Sequence, residues 1–534
     1  MSPISKSLTF GLVSALACTT AVASAQAQST APEIAVAVNK LARNLDPGRQ
    51  TGNVDVRVYF SIYDTLIKRD FRNAPEVGVK LEPGLATSWS RPDARTLEVT
   101  LREAVVCHDG SPFNADDVVF TFSEERLWGA QSFYPRGRNY FSHLESVEKV
   151  DDRTVRFVTK APDLILEERL TSYTSFIVCD EPWMAFQKDG VPFAEWMEAA
   201  FDEMKWAPVG TGPFKATGYR KNDFIRLEAH EGYWGGKPAV SAIEFKEVPE
   251  VSARIAGVVS GEYKMAVDIP PDQMQVVAGY DNVKSTSVSL DNTHVLVFNQ
   301  ADPVLADKNL RQAMSYAIDR DALRKALWND ENYTPNGHQL ASFGAMYSAE
   351  RAGYTYDPEK ARELVKASGY DGSTISFRLI DGYYLNGRDA AQIIQEMWRQ
   401  VGINAELNFV ESFKQVRSEG AQVYAWSNTY RLPDPTGAIN VNWGPNAGIQ
   451  KKYGFFTPPS EFNDIASSLV SIEDQGERRA KFQRMLDIFE DEMPMTMLYN
   501  PLVTFIMAND VEWTPYSLYF MDFGPDNFKL SLGQ

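Results

Sequence analysis

Paired carboxylates are the first groups in this sequence that could do chemistry, because two acids at a set distance can act as general acid and base. Asp116 lies next to Asp117, and Glu490, Asp491 and Glu492 follow one another. Neighbouring side chains on a helix point about 100° apart, which is typical of a solvated face rather than of a catalytic pair. The Gly-x-Ser-x-Gly and His-Glu-x-x-His motifs of hydrolases are also absent from the sequence. We therefore expect the chain to catalyse no reaction. A hydrolase remains only as an alternative function.

Histidine and cysteine do not show the spacing of a metal centre. No two histidines are four residues apart, and no cluster of several cysteines and histidines occurs. The five histidines are His108, His143, His230, His294 and His338. We predict neither a bound metal nor a cofactor, while a metal chelate held through its organic part remains open.

Cys107 and Cys179 are the two cysteines that follow the N-terminal segment. A disulfide between them would close a loop of about 70 residues and stabilise the fold by about 4 kcal/mol in the chain-entropy model. Buried free thiols are also common in proteins, so spacing alone does not show that the two sulfurs meet. Both interpretations stay open at this point.

The first 27 residues have the pattern of a secretory signal peptide. A short segment with one basic residue, Lys6, precedes an apolar stretch, and a small-residue cleavage site ends at Ala27. Leu16 lies one place too late for a good lipobox at Cys18. We therefore expect cleavage and release into the periplasm rather than a lipid anchor.

The charge balance excludes some partners. The chain has 71 acidic residues against 53 lysines and arginines, for a formal net charge of −18. Such a surface repels nucleic-acid phosphates and anionic lipid headgroups, so we expect no nucleic-acid partner. The length remaining after the signal peptide corresponds to two to four domain-sized units.

Strands and helices that must position any site alternate along the chain. Alternation of period two predicts strands at 96–102, 154–159, 224–228 and 375–379. Helices are predicted to begin after the capping residues Asn114, Asp307 and Asp357, with another amphipathic helix at 390–400. This alternation predicts an α/β fold with mixed sheets.

Several segments, taken in order, resemble the family 5 extracellular solute-binding proteins, the dipeptide-, oligopeptide- and nickel-binding group of bacterial ABC importers. They include LREAVVCHDGSPFNADDVVFTF at 101–122, VGTGPFK at 209–215, EGYWGGKP at 231–238, LRQAMSYAIDR at 310–320 and YDPEKARELVKASGY at 356–370. The matching pieces cover most of the chain in the order of the family. Their combination is specific for the family and much less specific for its ligand.

The resemblance implies a two-lobed periplasmic binding protein fold of the class II type. Lobe I would comprise 28–290, with an inserted subdomain at about 63–211, and a C-terminal return at 501–534. Lobe II would comprise 291–500. Two crossing strands, near Asp291 and near Asn500-Pro501, would form the hinge, and the ligand would lie between the lobes.

The resemblance also implies ligand contacts in lobe II. Peptide-binding members hold the ligand α-amine with an aspartate shortly after a tryptophan, which here corresponds to Trp426. Thr429 stands where that aspartate is expected, and Asp434 follows a few residues later. A threonine cannot neutralise a buried ammonium. Either Asp434 takes this role or the ligand is not a peptide with a free amine.

Arg388 matches the position of an arginine that pairs with the ligand carboxylate in dipeptide-binding members. A guanidinium suits such two-point capture, although a surface ion pair with Asp389 or Glu396 is the competing interpretation. The resemblance further implies apolar walls of the cleft. The candidates are Tyr383, Tyr384, Trp426 and Trp443.

We therefore expect a periplasmic binding component that closes around short peptides or peptide-like solutes. A non-peptide solute, such as an opine, a sugar conjugate or a metal chelate, is the alternative. The implied partners are a membrane ABC permease and its ATPase subunits. The binding component itself is expected to be a monomer.

Overall fold

The structure, a computed structural model, describes residues 31–73 and 75–531. The predicted signal peptide lies outside these residues. None of the helices found in the described ranges has the length and apolar character that a bilayer crossing requires.

A seven-stranded mixed sheet organises the first part of the fold. Its strands, in spatial order, are Val283–Ser289, Leu502–Ala508, Met265–Ala266, Glu33–Val38, Ala242–Glu247, Phe224–Ala229 and Phe214–Arg220. The strand Glu33–Val38 pairs in parallel with both of its neighbours. Its alternating side chains place Ile34 and Val36 in the large core and Ala37 in a smaller core behind the sheet. We call the part of the chain built on this sheet, 31–290 and 501–531, lobe I.

A second, antiparallel sheet lies within the predicted insertion of lobe I. Its strands, in spatial order, are Ala86–Asp93, Thr96–Leu101, Thr154–Thr159 and Leu144–Asp151. The side chain of Asn114 accepts a hydrogen bond from a backbone N–H in the first turn of the helix Ala115–Thr121. The side chain of Asp117, in that turn, accepts a hydrogen bond from the backbone N–H of Asn114. A disulfide joins Cys107 to Cys179 in this region, which decides between the two interpretations left open by the sequence. The outer bounds of the insertion stay a prediction.

A five-stranded sheet organises the second part of the fold, 291–500, which we call lobe II. Its strands, in spatial order, are Ala405–Val410, Ile375–Ile380, Val423–Thr429, Asn292–Phe298 and Met495–Tyr499. Every residue of Asn292–Phe298 is buried because hydrophobic cores cover both faces of the sheet. Val295 and Val297 enter one core, and Leu296 and Phe298 enter the other.

Helices cover these sheets in both lobes. In lobe I they are Tyr59–Ile62, Ala115–Thr121, Arg138–Phe141, Leu166–Arg169, Glu181–Met184, Phe193–Met204, Val251–Ser260 and Met274–Val277. In lobe II they are Lys308–Tyr316, Arg320–Trp328, Pro358–Ser368, Gly387–Gln400, Phe413–Val416, Ile439–Trp443, Gly448–Lys451, Ser460–Ser468 and Gln475–Glu492. Two short hairpins, Ile67–Arg69 with Leu81–Pro83 and Val511–Trp513 with Phe528–Leu530, complete lobe I.

The chain passes between the two sheets at Leu290-Asp291 and at Asn500-Pro501. The two crossings are hydrogen-bonded to each other, since Leu290 N donates to Pro501 O at 3.1 Å and Asn500 Nδ2 donates to Leu290 O at 3.2 Å. These are the positions at which the resemblance places the hinge. The predicted fold class, α/β with two lobes, is confirmed.

The predicted elements agree with the observed bounds to within a few residues. The strand predicted at 154–159 is Thr154–Thr159, and the helices after Asn114, Asp307 and Asp357 begin at the predicted residues. The helix predicted at 390–400 begins earlier, at Gly387, because Asn386 adopts a left-handed conformation just before it.

The disulfide generates a prediction about stability. A Cys107→Ser/Cys179→Ser variant lacks the covalent bond between these two positions, which are 72 residues apart in the sequence. The free energy of unfolding should fall by about 4 kcal/mol, because the unfolded chain regains the entropy of an open loop. Urea unfolding followed by circular dichroism measures this change. Reductant should lower the midpoint of the wild type and leave that of the double variant unchanged, and equal midpoints for the two oxidised proteins would contradict the prediction.

Candidate ligand-binding site

Lobe I and lobe II meet next to the two crossings. Arg431 of lobe II donates from Nη1 to the Tyr140 hydroxyl of lobe I at 3.3 Å. Asn53 of lobe I donates from Nδ2 to Ser427 Oγ of lobe II at 3.4 Å. We call this boundary between the lobes the inter-lobe gap.

The lobes also touch on the flanks of the gap. Leu164 N donates to Val470 O at 3.0 Å, and Gly78 N donates to Ala341 O at 2.8 Å. The lobe II side chains of Leu432, Val441 and Val470 belong to the large core of lobe I. The structure therefore represents the closed arrangement of the two lobes.

The strand Val423–Thr429 carries polar groups to the edge of lobe II that faces the gap. Asn292, on the neighbouring strand, donates from Nδ2 to Ser427 Oγ at 2.7 Å and to Thr429 Oγ1 at 2.8 Å. It also reaches the Tyr519 hydroxyl of lobe I at 3.4 Å. Burial raises the pKa of Tyr383 to about 12, although the charge of Arg417 and a hydrogen bond with Ser427 act in the opposite direction. Tyr383 and Ser427 thus lie together at the gap.

Arg431 follows this strand directly and is surrounded by tyrosines rather than acids. Its guanidinium lies 5.6 Å from the centroid of the Tyr173 ring, and its buried Nε has no hydrogen-bond partner. Burial alone would lower the pKa of Arg431, but the nearby hydroxyls of Tyr140, Tyr173 and Tyr383 raise it. The side chain remains a cation whose hydrogen-bonding capacity is incompletely used.

Arg417 is a second cation of lobe II without an acidic partner. Its guanidinium lies 5.2 to 5.5 Å from the centroids of four aromatic rings, those of Phe413, Tyr424, Trp426 and Tyr453. Its Nε is also buried and unpartnered. Among residues 31–73 and 75–531, no carboxylate oxygen lies within 4.0 Å of Arg417 or Arg431. Cation–π contacts stabilise such a charge without cancelling it.

The two residues considered for an amine contact are occupied within lobe II. Thr429 is 4 % exposed, and its hydroxyl accepts the hydrogen bond from Asn292. Asp434 forms an ion pair with Arg478 at 2.6 Å and caps a helical turn by accepting from Thr436 N at 3.0 Å. Because both oxygens of Asp434 are used, the structure does not support the idea that it replaces the missing aspartate.

Arg388 lies on the surface of lobe II, and within the described residues it forms no hydrogen bond or ion pair with lobe I. It forms an ion pair with Asp381 at 2.5 Å, and the two side chains are 48 % and 56 % exposed. Its guanidinium also covers the Phe409 ring at 4.2 Å. This geometry favours a surface ion pair of Arg388. Its partner is Asp381 and not Asp389 or Glu396, the acids considered from the sequence. The carboxylate role of Arg388 stays a prediction that this ion pair does not favour, and Arg431 is the arginine that reaches lobe I.

The four aromatic candidates divide into two groups. Tyr383 and Trp426 retain partial exposure near Ser427 and Arg417. Tyr384 is also partly exposed, but its ring stacks on His294 with 3.7 Å between the ring centroids and packs against the core of lobe II. Trp443 is fully buried, with its ring centroid 6.0 Å from that of Trp426. The ligand contacts of all four residues stay predictions.

The sequence reasoning missed Arg431, Arg417, Tyr140, Tyr173, Asn53 and Tyr519. Arg431 is only two residues after Thr429, so its position at the end of a strand was a usable signal. Tyr140, Tyr173 and Tyr519 come from distant segments of lobe I, and no local pattern brings them to lobe II.

Glu168 of lobe I is an acid at the closed boundary that forms no ion pair within the described ranges. Burial, together with the charges of Asp434 and Glu167 and against that of Arg478, raises the pKa of Glu168 to about 7. Asp434 and Arg478 belong to lobe II, so lobe II contributes to this shift.

Two other features lie away from the gap. The described residues bring Cys107, Asp117 and Cys179 within metal-ligand distance of one another, but the two sulfurs are joined to each other. A cavity of about 420 Å³ is lined by Tyr316, Tyr354 and other residues of lobe II alone. Because neither feature involves both lobes, we do not assign the ligand to either.

Comparison with known proteins shows a clear relationship. The family of bacterial extracellular solute-binding proteins, family 5 Middle, matches residues 80–449. The dipeptide-binding protein of Escherichia coli K12 is 27 % identical over 443 residues, which are 79 % of this chain and 81 % of that protein.

Solved structures share the fold. The periplasmic binding protein DppA of Helicobacter pylori, in complex with the peptide STSA, has a TM-score of 0.80 at 22 % identity, covering 94 % of this chain and 98 % of that one. The binding protein AgaA of Agrobacterium tumefaciens R10, in complex with agropinic acid, has a TM-score of 0.78 at 21 % identity, covering 94 % and 99 %. At these identities the two structures establish the architecture alone.

The position of Glu168 generates a prediction about pH. Its folded pKa of about 7 lies above the ordinary 4.5, so stability is lost as the pH rises through this window, where the buried carboxyl resists ionisation. A Glu168→Gln variant should match the wild type near pH 4.5 and melt at a higher temperature at pH 8. Differential scanning calorimetry across pH 4.5–8 measures this difference. The exposed Glu181→Gln control should show no such trend, and a pH-independent difference for Glu168→Gln would contradict the assignment.

Proposed function

Because this chain belongs to the bacterial extracellular solute-binding proteins of family 5, we propose that it is the ligand-binding component of an ABC importer. It captures a small solute in the inter-lobe gap and delivers it to a membrane permease driven by ATPase subunits. The N-terminal signal-peptide pattern supports release into the periplasm. The released protein is proposed to act as a monomer.

The capture step follows from the two crossings. Hydrogen bonds between Leu290, Asn500 and Pro501 hold the lobes together at one side, so the lobes can separate at the other. A solute that enters the open gap loses water when the lobes meet, which strengthens its polar contacts. Closure also creates a joint surface that neither lobe presents alone, and this surface is what a permease would recognise.

The observation that carries the proposal is the position of Arg431. This guanidinium belongs to lobe II, reaches Tyr140 of lobe I, and has no carboxylate partner in the described chain. A ligand carboxylate at this point would satisfy the cation and contact both lobes at once. Ligand binding and closure would then be the same event.

A short peptide or peptide-like solute is the proposed cargo. The name of the Escherichia coli relative and the peptide bound to the Helicobacter pylori protein support this class. The main alternative is a non-peptide solute such as an opine, a sugar conjugate or a metal chelate. The agropinic acid bound to the structural neighbour supports that alternative, and so does the commitment of Asp434 to Arg478.

Ligand-dependent stabilisation without turnover is the first test. Mass spectrometry of the solute extracted from the purified mature protein identifies the ligand, which is then added back to protein stripped of it. At a concentration of 100 Kd it should stabilise the protein by about 2.7 kcal/mol, because it binds the folded state alone. The recovered solute should be chemically unchanged. Conversion of the solute by the purified protein would instead support the hydrolase alternative.

Arg431 and Arg388 form a matched pair for the second test. Arg431→Ala should weaken binding of a carboxylate ligand by about 1–3 kcal/mol, the range of charge-assisted hydrogen bonds. Arg388→Ala removes an equally sized cation from the exposed surface and should leave the affinity unchanged. Isothermal titration calorimetry with the extracted ligand measures both variants. A loss of affinity in Arg388→Ala alone would return the carboxylate role to that residue.

A further inference from the structure

Arginines of both lobes lie around one segment of lobe I. Arg431 of lobe II donates to the Tyr140 hydroxyl at 3.3 Å, and Arg136 lies only four residues before Tyr140 in the sequence. Burial lowers the pKa of Arg136, and the charges of Arg431 and of Arg43 in lobe I lower it further. Closure therefore brings Arg431 of lobe II towards Arg136 of lobe I.

The lobe I arginines are held in place by the fold. Arg136 donates from Nη1 to Arg49 O at 2.9 Å and to Thr51 Oγ1 at 3.3 Å. Arg43 forms an ion pair with Asp55, whose buried carboxylate also accepts from Arg43 N at 2.9 Å. Asp55 therefore balances one of these two charges. Within the described ranges, Arg136 has no carboxylate within 4.0 Å.

Three acids near the crossings and the gap are already paired. Asp268 pairs with Arg57, Asp291 pairs with Arg69 at 2.6 Å, and Asp434 pairs with Arg478 at 2.6 Å. Glu168 lies beside Asp434 and Arg478. Within the described ranges Arg136, Arg417 and Arg431 have no carboxylate within 4.0 Å, so they form a surplus of positive charge that no direct ion pair balances.

This surplus contrasts with the rest of the protein. The chain as a whole has a formal net charge of −18. Like charges that approach in a space losing its water repel each other more strongly than they do in bulk solvent. Two cations that face each other on opposite lobes oppose closure until an anion lies between them. A ligand ammonium would add a further positive charge and would find no uncommitted carboxylate beside these arginines.

We propose that the solute carries at least two anionic groups and no free ammonium, and that its negative charge is the signal that permits closure. One anionic group lies where Arg431 of lobe II approaches Arg136 of lobe I. The second anionic group lies towards Arg417, beside Tyr383 and Trp426. This inference rests on the proposed function and narrows its cargo to N-blocked or amine-free acidic solutes.

The substrate-class arm of the test uses three probes. N-acetyl-alanyl-glutamate has two carboxylates and no ammonium, alanyl-glutamate has two carboxylates and an ammonium, and alanyl-alanine is a zwitterion. Isothermal titration calorimetry on ligand-free protein should rank them in that order, with at least a tenfold gain from N-acetylation. Binding of alanyl-alanine as tight as that of the acetylated probe would overturn this inference while leaving a peptide importer intact.

The closure arm of the test needs no ligand. Small-angle X-ray scattering at low ionic strength should show an extended wild type, and Arg136→Gln should shift the ligand-free protein towards the smaller closed radius. Adding salt should reduce the difference between the two proteins, because it screens the repulsion. Arg388→Gln is the matched control, because Arg388 is an exposed arginine away from the gap.

The same variant separates a charge effect from a loss of structure. Arg136→Gln should close more readily without ligand and yet bind N-acetyl-alanyl-glutamate at least tenfold more weakly. A misfolded variant would lose both properties, and circular dichroism detects that case; Arg136→Lys, which keeps the charge, should then restore the wild-type radius. Identical radii for ligand-free wild type and a folded Arg136→Gln would overturn the proposed closure signal.

Discussion

The hydrogen-bonded contact between the two chain crossings is the constraint on which the site depends. Leu290 and Pro501 are joined through their backbones, and the Asn500 side chain connects Leu290 to Thr293 and Tyr333. Since both crossings lie side by side, lobe I and lobe II keep a common axis at one edge. Residues that are hundreds of positions apart, such as Tyr140 and Arg431, can therefore meet reproducibly.

Burial and charge are arranged differently in the scaffold and in the gap. The strand Asn292–Phe298 of lobe II is covered by apolar cores on both faces, so its side chains are closely packed. At the gap, the polar groups of Ser427, Tyr383 and Tyr519 gather around cations that lack acidic partners. Unpaired buried charge is costly, so this arrangement is expected where a ligand completes the pairing.

The fold was predictable from local patterns, and the site was only partly predictable. Capping residues such as Asn114 and Asp357 and the alternation at 154–159 determine their elements through short-range contacts. Trp426 lies on the strand that faces the gap, and Tyr383 lies beside Ser427 of that strand. Arg388 pairs with Asp381 on the surface, because a similar position in the sequence does not determine the direction of a side chain. Trp443 packs into the core of lobe II, because a tryptophan near the gap packs equally well there. The ligand contacts of all four residues stay predictions.

The sequence by itself determined the α/β class through periodicity and capping, which are local, and it placed a threonine rather than an aspartate at position 429. The order of its motifs predicted the family through the resemblance. The tertiary structure alone decided that Cys107 meets Cys179, that Asp434 is committed to Arg478, and that Arg431 contacts Tyr140 of lobe I. Such pairings join segments that are far apart in the chain, and only the packing of the sheets and the closure of the lobes sets the distances between them.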